Sequence, residues 1–440
     1  MRQLFLPARF FQAGSAVIGL FVLAFALPFL LPLARGALLV LGVLVVVDAL
    51  LLYRNSTRVE VRRLLPRLFS LSDANTVRIE LQNRSPQALR LTVIDELPVQ
   101  FQQRNFQTTL TLRAAEPQTL RYTLRPLSRG RYAFGAVNVF MASRLGLLQR
   151  RYRQTEAMAV AVYPSVVQMK DLSLKAVSSL TPEQGVKKMR RIGHSYEFEQ
   201  IKEYVRGDDY RSINWKATGR HSRLMVNQYT DERAQQVYCL IDKGRSMQLP
   251  FDGLTLLDYA INASLVISNV ALQRYDKAGL LTFSDKIGTT LKAERSPVQL
   301  QKILQALYQE KERPGESNYE LLYHIARKLI RGRSLVVLFT NFESRYALER
   351  VLPLLRRINV LHLLVVVFFE NTEIEAYGQR EVSTLEGIYT QTAAQNFIAE
   401  KRQIARTLRQ HGIQTIYTKP EELSVNTVNK YLELKSRGLI

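Results

Sequence analysis

Two apolar stretches at the N-terminus most strongly constrain how this chain can fold. Residues 10–34 form 25 consecutive positions without a charge, and residues 36–53 contain only one charged residue, Asp48. A helix needs about 20 such residues to cross the hydrocarbon core of a bilayer. A cleaved signal peptide is the alternative, but the first stretch is long for one and a second stretch follows at once. We therefore predict a two-helix transmembrane hairpin within residues 1–58.

The arginines around these stretches predict how the hairpin is oriented. Arg2 and Arg9 precede the first stretch, and only Arg35 lies between the two. Five more follow the second stretch: Arg54, Arg58, Arg62, Arg63 and Arg67. Because positive residues accumulate on the cytoplasmic side, we expect both ends of the hairpin, and the rest of the chain, to face the cytosol.

The chain is basic throughout, with a formal net charge of +23. Residues 1–67 carry eight basic and two acidic side chains, residues 68–195 carry 19 and 8, and residues 196–440 carry 34 and 28. The excess is therefore concentrated toward the predicted hairpin, where anionic lipid attracts Lys and Arg. We expect anionic lipid near this basic segment and no nucleic acid, since no nucleic-acid-binding motif accompanies the charge.

Residues 59–164 alternate apolar and polar side chains with a period of two. Val77, Ile79 and Leu81 share one face of such a run, and similar runs follow. Turn-forming residues such as Pro86, Pro117 and Gly130 separate the runs. This spacing predicts an antiparallel β-sandwich with a structural role. Residues 165–195 lose the periodicity, and we interpret them as a linker.

From Val237 onward, apolar strands alternate with amphipathic helices. The predicted strands are residues 237–241, 278–283, 335–339, 360–368 and 413–417. The predicted helices are residues 256–272, 297–308, 319–330, 346–357 and 393–411. This alternation predicts an α/β doubly wound domain, with a parallel sheet covered on both faces. Ligands of such folds bind at the carboxyl ends of the strands.

The first of these strands runs into the sequence Asp242-Lys-Gly-Arg-Ser246. It resembles the D-x-S-x-S motif that opens the metal-dependent adhesion site of von Willebrand factor A domains, with Gly244 in place of the middle Ser. The resemblance implies that Ser317 supplies a further hydroxyl, and that Asn341 stands where those domains carry an Asp.

The site implied by this resemblance consists of Asp242, Ser246, Ser317 and Asn341. It would hold Mg²⁺ or another divalent cation weakly or not at all, because one carboxylate is left where those domains have two. An Asp that only caps the loop after its strand is an equally open interpretation.

The stretch before the sheet, residues 196–220, reads YEFEQIKEYVRGDDYRSINWKATGR. It resembles the signature of the bacterial domain-of-unknown-function 58 (DUF58) family, with Lys202 in place of an Arg and Gly219 in place of an Ala. The residues that carry the resemblance are Glu197, Phe198, Glu203, Tyr204, Gly207, Asp208, Asp209, Arg211, Trp215, Lys216 and Arg220. The mixture of charges predicts an ion-pair network that closes this stretch onto the sheet, or alternatively a surface for a partner. Trp215 would be a core plug in the first case and an interface anchor in the second.

The DUF58 resemblance also implies a function and a location. Such proteins are commonly encoded beside MoxR-type AAA+ ATPases and are thought to act with them in assembly or chaperone-like systems. We therefore expect a non-enzymatic adaptor in the bacterial inner (cytoplasmic) membrane, in which residues 196–440 bind protein partners. A divalent-cation-dependent hydrolase using Asp208, Asp209 and Asp242 is the first alternative, although no His or carboxylate pair at ligand spacing supports it. A basic nucleic-acid-binding protein is the second.

Overall fold

The computed structural model describes residues 4–53, 59–103, 106–154, 158–165, 169–170, 197–206, 208–230, 234–380 and 384–440, with the backbone alone for residues 197–200, 221 and 228–230. The chain divides into two compact units, Met1–Val167 and Gln168–Ile440. The predicted linker, residues 165–195, lies outside the described residues except for positions 165, 169 and 170.

The first unit contains two long apolar helices near its N-terminal end, α1 (Ala8–Ala26) and α2 (Leu31–Tyr53). A single 3-10 turn that begins at Pro28 separates them, because proline cannot continue the hydrogen-bond ladder of α1. Both helices are long and apolar enough to cross a membrane. Many of their large side chains are exposed, Phe25 by 93 %, so the protein core of the first unit leaves them uncovered.

The rest of the first unit is built from strands, as the period-two pattern predicted. They are β1 (Leu4–Phe5), β2 (Val59–Leu64), β3 (Leu68–Ser70), β4 (Asn75–Asn83), β5 (Leu89–Asp95), β6 (Gln107–Leu112), β7 (Pro117–Leu124), β8 (Gly130–Phe134), β9 (Val137–Ala142), β10 (Gln149–Gln154) and β11 (Met158–Tyr163). Their sheets have the orders β1-β10-β9-β5-β6, β3-β11-β8 and β2-β4-β7. Apolar residues of β2 and β4 share one core with those of β5 and β9, so two of these sheets face each other.

A buried ion pair also joins the sheet of β5 to the sheet of β2. The guanidinium of Arg63 in β2 lies 2.6 Å from the carboxylate of Asp95 in β5, and both side chains are buried. Arg63 also donates to the carbonyl of Gly135 at 2.8 Å. This arginine therefore serves the interior of the first unit, although its position in the sequence suggested a charge facing lipid.

The end of α2 is bound to the strands by Asp48, the one acidic residue of this helix. Asp48 is completely buried, and its carboxylate accepts hydrogen bonds from the backbone N–H groups of Leu147 and Leu148, each at 2.8 Å. It also accepts from the hydroxyl of Ser143. Because the loop between β9 and β10 supplies all three donors, this loop holds the last turns of α2 in place.

The second unit contains ten further strands: β12 (Glu197–Glu203), β13 (Met225–Thr230), β14 (Gln236–Asp242), β15 (Pro250–Phe251), β16 (Leu254–Thr255), β17 (Lys277–Phe283), β18 (Ile287–Glu294), β19 (Leu335–Phe339), β20 (Leu363–Phe369) and β21 (Gln414–Thr418) among its described residues. Its helices are α3 (Trp215–His221), α4 (Leu256–Gln273), α5 (Gln299–Gln309), α6 (Tyr319–Leu329), α7 (Arg345–Leu361), α8 (Thr372–Gly378), α9 (Leu385–Gln410) and α10 (Leu423–Ser436).

Six strands form the main sheet, in the order β18-β17-β14-β19-β20-β21. The pairs among β17, β14, β19, β20 and β21 are parallel, and β18 joins the edge antiparallel to β17. The sequence did not predict β18, since its exposed Thr290, Lys292 and Glu294 lack the continuous apolar run of the other strands. The strand predicted at residues 360–368 starts later, at Leu363, because α7 continues through Leu361.

Helices cover both faces of this sheet. Tyr238 and Leu240 of β14 belong to a core that also contains apolar residues of α6, α7 and α9. Between them, Cys239 points to the opposite face and contacts Ser264 and Ser268 of α4. The sheet is therefore buried on both sides, and its carboxyl ends meet at the edge that carries Asp242.

Candidate functional site

Asp242, the last residue of β14, lies in a nest of hydrogen-bond donors. Its side chain is 1 % exposed. One carboxylate oxygen accepts from the N–H of Gly244 at 2.9 Å and from the hydroxyl of Ser317. The other accepts from the hydroxyls of Thr340 at 2.8 Å and Tyr319 at 3.2 Å. Both oxygens are therefore engaged by neutral protein groups.

Glycine at position 244 is required by the closeness of the neighbouring loop. A Cβ atom there would lie 2.3 Å from the Ser317 hydroxyl oxygen, 3.0 Å from the carbonyl of Gly315 and 3.2 Å from the Asp242 carboxylate. The Gly315 carbonyl also accepts from the N–H of Arg245 at 3.1 Å. The loop that carries Gly315 and Ser317 therefore occupies the space that the missing Ser side chain of the adhesion-site motif would need.

Both polar atoms of the Asn341 side chain are engaged by protein groups. The amide nitrogen of Asn341 donates to the Ser246 carbonyl at 3.2 Å, and its amide oxygen accepts from the ammonium of Lys401 at 3.0 Å. Lys401 also donates to the carbonyl of Phe342. This lysine of α9 is 3 % exposed, and burial lowers its pKa to about 8.

The four residues of the implied metal site lie around one small cavity of about 70 Å³. Exposed ion pairs lie among the residues that line it: Arg245 is 3.3 Å from Glu316 and 3.4 Å from Glu343, and Arg350 is 3.1 Å from Glu316. Asp242, Ser246, Ser317 and Asn341 are therefore brought together as the sequence suggested, under a layer of paired charges.

This donor set does not fit a resident divalent cation. The carboxylate of Asp242 already accepts four hydrogen bonds, and a lysine ammonium binds the Asn341 oxygen. Among the described residues, no three His, Cys, Asp or Glu side chains are grouped closely enough to hold a metal ion. Burial raises the pKa of Asp242, although the hydroxyls of Ser317 and Thr340 and the N–H of Gly244 oppose that shift.

A second buried pair lies next to this site. The ammonium of Lys243 is 2.5 Å from the Glu310 carboxylate, which also accepts from the hydroxyl of Thr282 at 2.8 Å. The absence of a side chain at Gly288 makes room for Lys243, since a Cβ there would lie 2.4 Å from the ammonium. Hydrogen bonding to Lys243 lowers the pKa of Glu310 against the opposing effect of burial.

Sequence reasoning missed Tyr319, Thr340, Lys243, Glu310 and Lys401. Tyr319 and Thr340 lie within two residues of predicted site residues, so proximity in the sequence was a usable signal. Lys401 lies at helical spacing from the buried Ala394, Ala405 and Leu408, and a lysine on an apolar helix face is a sign of a specific partner.

The signature residues lie on a separate small element. β12 and β13 pair as antiparallel strands, and residues 204–224, which we term the signature segment, connect them. Asp208 accepts from Lys202 and from the N–H of Val205, at 2.8 and 3.0 Å. Asp209 accepts from the N–H of Arg211 at 2.9 Å and so caps a 3-10 turn.

These carboxylates therefore stabilise the local backbone. Asp208, Asp209 and Asp242 do not form a cluster of metal ligands, which removes the geometric basis of the hydrolase alternative. Gly207 lies outside the described residues, and of Glu197 and Phe198 only the backbone is described.

The signature segment exposes its aromatic side chains. Trp215 is 72 % exposed and Tyr210 68 %, so the interpretation of Trp215 as a core plug is wrong. The apolar side chains of Val205 and Leu224 are exposed as well. Tyr204 is half-buried, and five exposed cations lie on the same segment: Arg206, Arg211, Lys216, Arg220 and Arg223.

The predicted ion-pair network lies partly outside the described side chains, because only the backbone of Glu197 and Glu199 is described. Two ion pairs of this segment are Lys202 with Asp208 at 2.8 Å and Glu203 with Arg223 at 3.5 Å. Both pairs lie within the β12–β13 element. The carboxylates of Asp208 and Asp209 also bind backbone N–H groups of the segment's own turns.

Comparison with known proteins gives one family match. Residues 200–411 match the family model described as "Protein of unknown function DUF58". The uncharacterized protein YeaD of Bacillus subtilis (strain 168) is 25 % identical over 175 residues, which are 38 % of this chain and 43 % of that protein. The matched part of the chain thus spans less than half of that relative's length.

Solved structures give only distant likenesses. Proximal thread matrix protein 1 from the mussel byssus is 13 % identical over 46 % of this chain and 45 % of its own, with a TM-score of 0.27. A CARDB domain from Pyrococcus furiosus, solved in complex with di-metal ions, is 12 % identical over 24 % of this chain and 90 % of its own, with a TM-score of 0.19. These TM-scores are too low to support a fold assignment.

Proposed function

We propose that this chain is a membrane-anchored, non-enzymatic adaptor of the DUF58 type, which binds a protein partner through its signature segment. The observation that carries the proposal is the exposure of Trp215 and Tyr210 on one short element. Tryptophan, tyrosine and arginine are the residues that most often dominate the energy of protein interfaces. Two exposed aromatic rings beside cations gain favourable burial energy when a partner covers them.

The proposed partner is a MoxR-type AAA+ ATPase in an assembly or chaperone-like system. Arg206, Arg211, Lys216 and Arg220 lie on the same segment as the aromatic side chains, and Arg211 lies over the Tyr210 ring, so the matching surface on the partner is expected to be acidic. The six-stranded sheet with helices on both faces supports a von Willebrand A-like domain as the scaffold. Its strand-end loops, at Asp242, Ser246, Ser317 and Asn341, are proposed as a second contact surface.

The proposed location is the bacterial inner membrane, with the second unit in the cytosol and anionic lipid near the basic N-terminal segment. The two apolar helices and the arginines that flank them support it. Reporter fusions after Arg67 test the orientation. An extracytoplasmic signal from that position would overturn both the orientation and the cytosolic ATPase partner.

A crosslinked pull-down from membranes tests the adaptor function. We expect the wild-type chain to recover an ATPase, and Trp215→Ala to lose most of it. Tyr389→Ala is the matched control, because Tyr389 is an aromatic side chain of the same unit that is 78 % exposed. Two results would contradict the proposal. One is equal recovery of the partner by Trp215→Ala and Tyr389→Ala, and the other is recovery of no partner by the wild-type chain.

The same pull-down with EDTA tests the role of a cation. Since Lys401 and four neutral donors already occupy the oxygens of Asn341 and Asp242, we propose that association needs no divalent cation. EDTA is then expected to leave recovery unchanged. Loss of the partner with EDTA, restored by added Mg²⁺, would instead assign a working metal to the strand-end site.

A further inference from the structure

The edge of the main sheet opposite Asp242 forms a second surface, which we term the amino edge. The strand registers align the first residues of β14 with those of β17, and the first residues of β19 with those of β20. The antiparallel β18 ends at the same place, since Glu294 pairs with Ala278. The amino edge consists of the connections that lead into these strands, with the residue that follows β18: residues 274–276, 330–334, 356–362 and 409–413, and Arg295.

Hydrogen bonds join neighbouring connections of the amino edge. The N–H of Leu363 donates to the carbonyl of Ser334 at 2.9 Å. The side-chain amide of Asn359 donates to the carbonyl of Gly412 at 3.2 Å. The connections before β19, β20 and β21 are therefore held side by side as one surface.

The amino edge carries a surplus of positive charge. Residues 330–334, 356–362 and 409–413 contain no Asp or Glu. They contain five exposed arginines: Arg331, Arg333, Arg356, Arg357 and Arg409. At the carboxyl ends of the strands, by contrast, Arg245 and Arg350 are paired with glutamates. One edge of the sheet is thus cationic, and the other carries paired charges of both signs.

The carboxylates at the amino edge, Asp276 and Glu294, are already engaged. Asp276 is 1 % exposed and accepts from the ammonium of Lys435 at 2.7 Å and from the hydroxyl of Tyr431. Glu294 lies 3.6 Å from the ammonium of Lys302. Each of these carboxylates has a lysine of its own, so the five arginines keep their charge for an outside anion.

Exposed apolar side chains lie among these cations. Val360, in the last turn of α7, is 85 % exposed, and Leu361 is 44 % exposed. Tyr275 is 53 % exposed, although its φ of 65° lies in the left-handed region that favours glycine. The guanidinium of Arg295 lies 4.2 Å from the centre of the Tyr275 ring. Apolar, aromatic and cationic side chains together are typical of surfaces that lie in the interface of a bilayer.

We propose that the amino edge docks on the surface of a bilayer that contains anionic lipid. The arginines bind the lipid phosphates, and Val360, Leu361 and Tyr275 enter the headgroup region. Phosphates of a nucleic acid would satisfy the arginines but would leave Val360 and Leu361 in water, which favours lipid. Docking in this way turns the strand-end loops with Asp242 away from the bilayer and uses none of the signature segment.

An environment-sensitive fluorophore on Val360→Cys tests docking in the full chain, reconstituted in lipid nanodiscs. The natural thiol of Cys239 is buried and its pKa is raised to about 12, so the label reacts with the introduced cysteine. We expect a blue shift of the emission when phosphatidylglycerol is added to phosphatidylcholine discs. Tyr346→Cys is the matched control, because Tyr346 is 83 % exposed at the other end of the same helix. Its label is expected to show no shift.

Charge reversal tests whether the arginines hold the surface on lipid. Arg333→Glu in the Val360→Cys chain is expected to lower the ratio of docked to free chains about ten-fold, and so to remove most of the blue shift. Arg402→Glu is the control, since Arg402 is an exposed cation that acts on Glu370, just after the carboxyl end of β20. It is expected to keep the shift.

Three results would overturn the proposal. The first is an emission of the Val360 label that is the same in both kinds of disc or that shifts equally for the Tyr346 label. The second is an equal effect of Arg333→Glu and Arg402→Glu. The third is binding of a labelled duplex oligonucleotide that Arg333→Glu abolishes, without any lipid-dependent shift, which would assign the amino edge to nucleic acid.

Discussion

At the scale of single residues, Asp242 brings a carboxylate into an interior that offers it hydroxyls and a backbone amide. Burial raises its pKa above the value of about 3.9 that an unperturbed Asp has. The folded chain therefore holds the proton of this group more tightly than the unfolded chain does. Its contribution to stability is full below the unfolded pKa and is lost as the pH rises through the raised folded pKa.

Asp242→Asn tests this dependence, because it removes the titration while keeping the shape of the side chain. We expect the free energy of unfolding of the wild type, minus that of the variant, to fall as the pH rises from 4 toward 7. Urea unfolding followed by far-UV circular dichroism in detergent measures this difference, in which the titration of all other groups cancels. A difference that is flat or that rises with pH would contradict the assignment.

Gly244→Ser restores the hydroxyl of the adhesion-site motif in the sequence, but the structure has no room for it. The new Cβ would meet the Ser317 hydroxyl oxygen at 2.3 Å. We expect a loss of about 1–3 kcal/mol in the free energy of unfolding, which is typical of overpacking. Gly315→Ser is the control, since the nearest atom to its Cβ is 3.6 Å away. Equal stability of the two variants, with a gain from Mg²⁺ in Gly244→Ser alone, would show that the motif can be repaired.

At the scale of elements, the sequence predicted most strands and helices of the main sheet because apolar runs and amphipathic periods are local patterns. β18 escaped prediction since an edge strand with an exposed face has a polar sequence. The grouping of Asp242, Ser246, Ser317 and Asn341 was implied by the resemblance to von Willebrand A sites, and the rule that parallel strands end at one edge located Asp242. Their hydrogen bonds to Tyr319 and Lys401 could not be predicted, because they depend on how α6 and α9 pack.

Lys401 fixes α9 to the loop after β19 and gives this contact its own pH dependence. Its pKa is lowered to about 8, so above this pH the unfolded chain holds the proton that the folded chain has released. Stability due to this group therefore rises with pH from about 8 to the usual lysine value of about 10.4. We expect the wild type to gain stability over Lys401→Met across this range. The control Arg402→Met changes an exposed neighbour on α9 and is expected to keep the rise of stability with pH. Loss of this rise in both variants would contradict the role of Lys401.

At the scale of the whole molecule, the chain consists of two compact units that meet in sequence at Val167 and Gln168. Each has its own buried core, in β2, β4, β5 and β9 for the first and around the main sheet for the second. The change from period-two runs to strand–helix alternation led us to predict separate domains, with residues 165–195 as the linker. The exposure of Trp215 could not be predicted, since a lone tryptophan among charges is compatible with a core and with a surface.

Limited proteolysis tests whether the second unit is stable by itself. We expect cleavage within residues 165–195 and a resistant fragment that reaches Ile440 and keeps its helical circular dichroism. Mass spectrometry of the fragments locates the cut. A chain that resists cleavage there and unfolds in one transition would argue against two independent units.

The burial of Asp48 limits the order in which parts of the first unit can fold during synthesis. Its three donors, at Ser143, Leu147 and Leu148, come 95 to 100 positions later in the chain. Until the ribosome has added them, the newly made α2 carries a carboxylate without these partners, which is costly in an apolar helix. The last turns of α2 can therefore be fixed to the strands only after the β9–β10 loop has been translated, and β11 is added to the first unit later still.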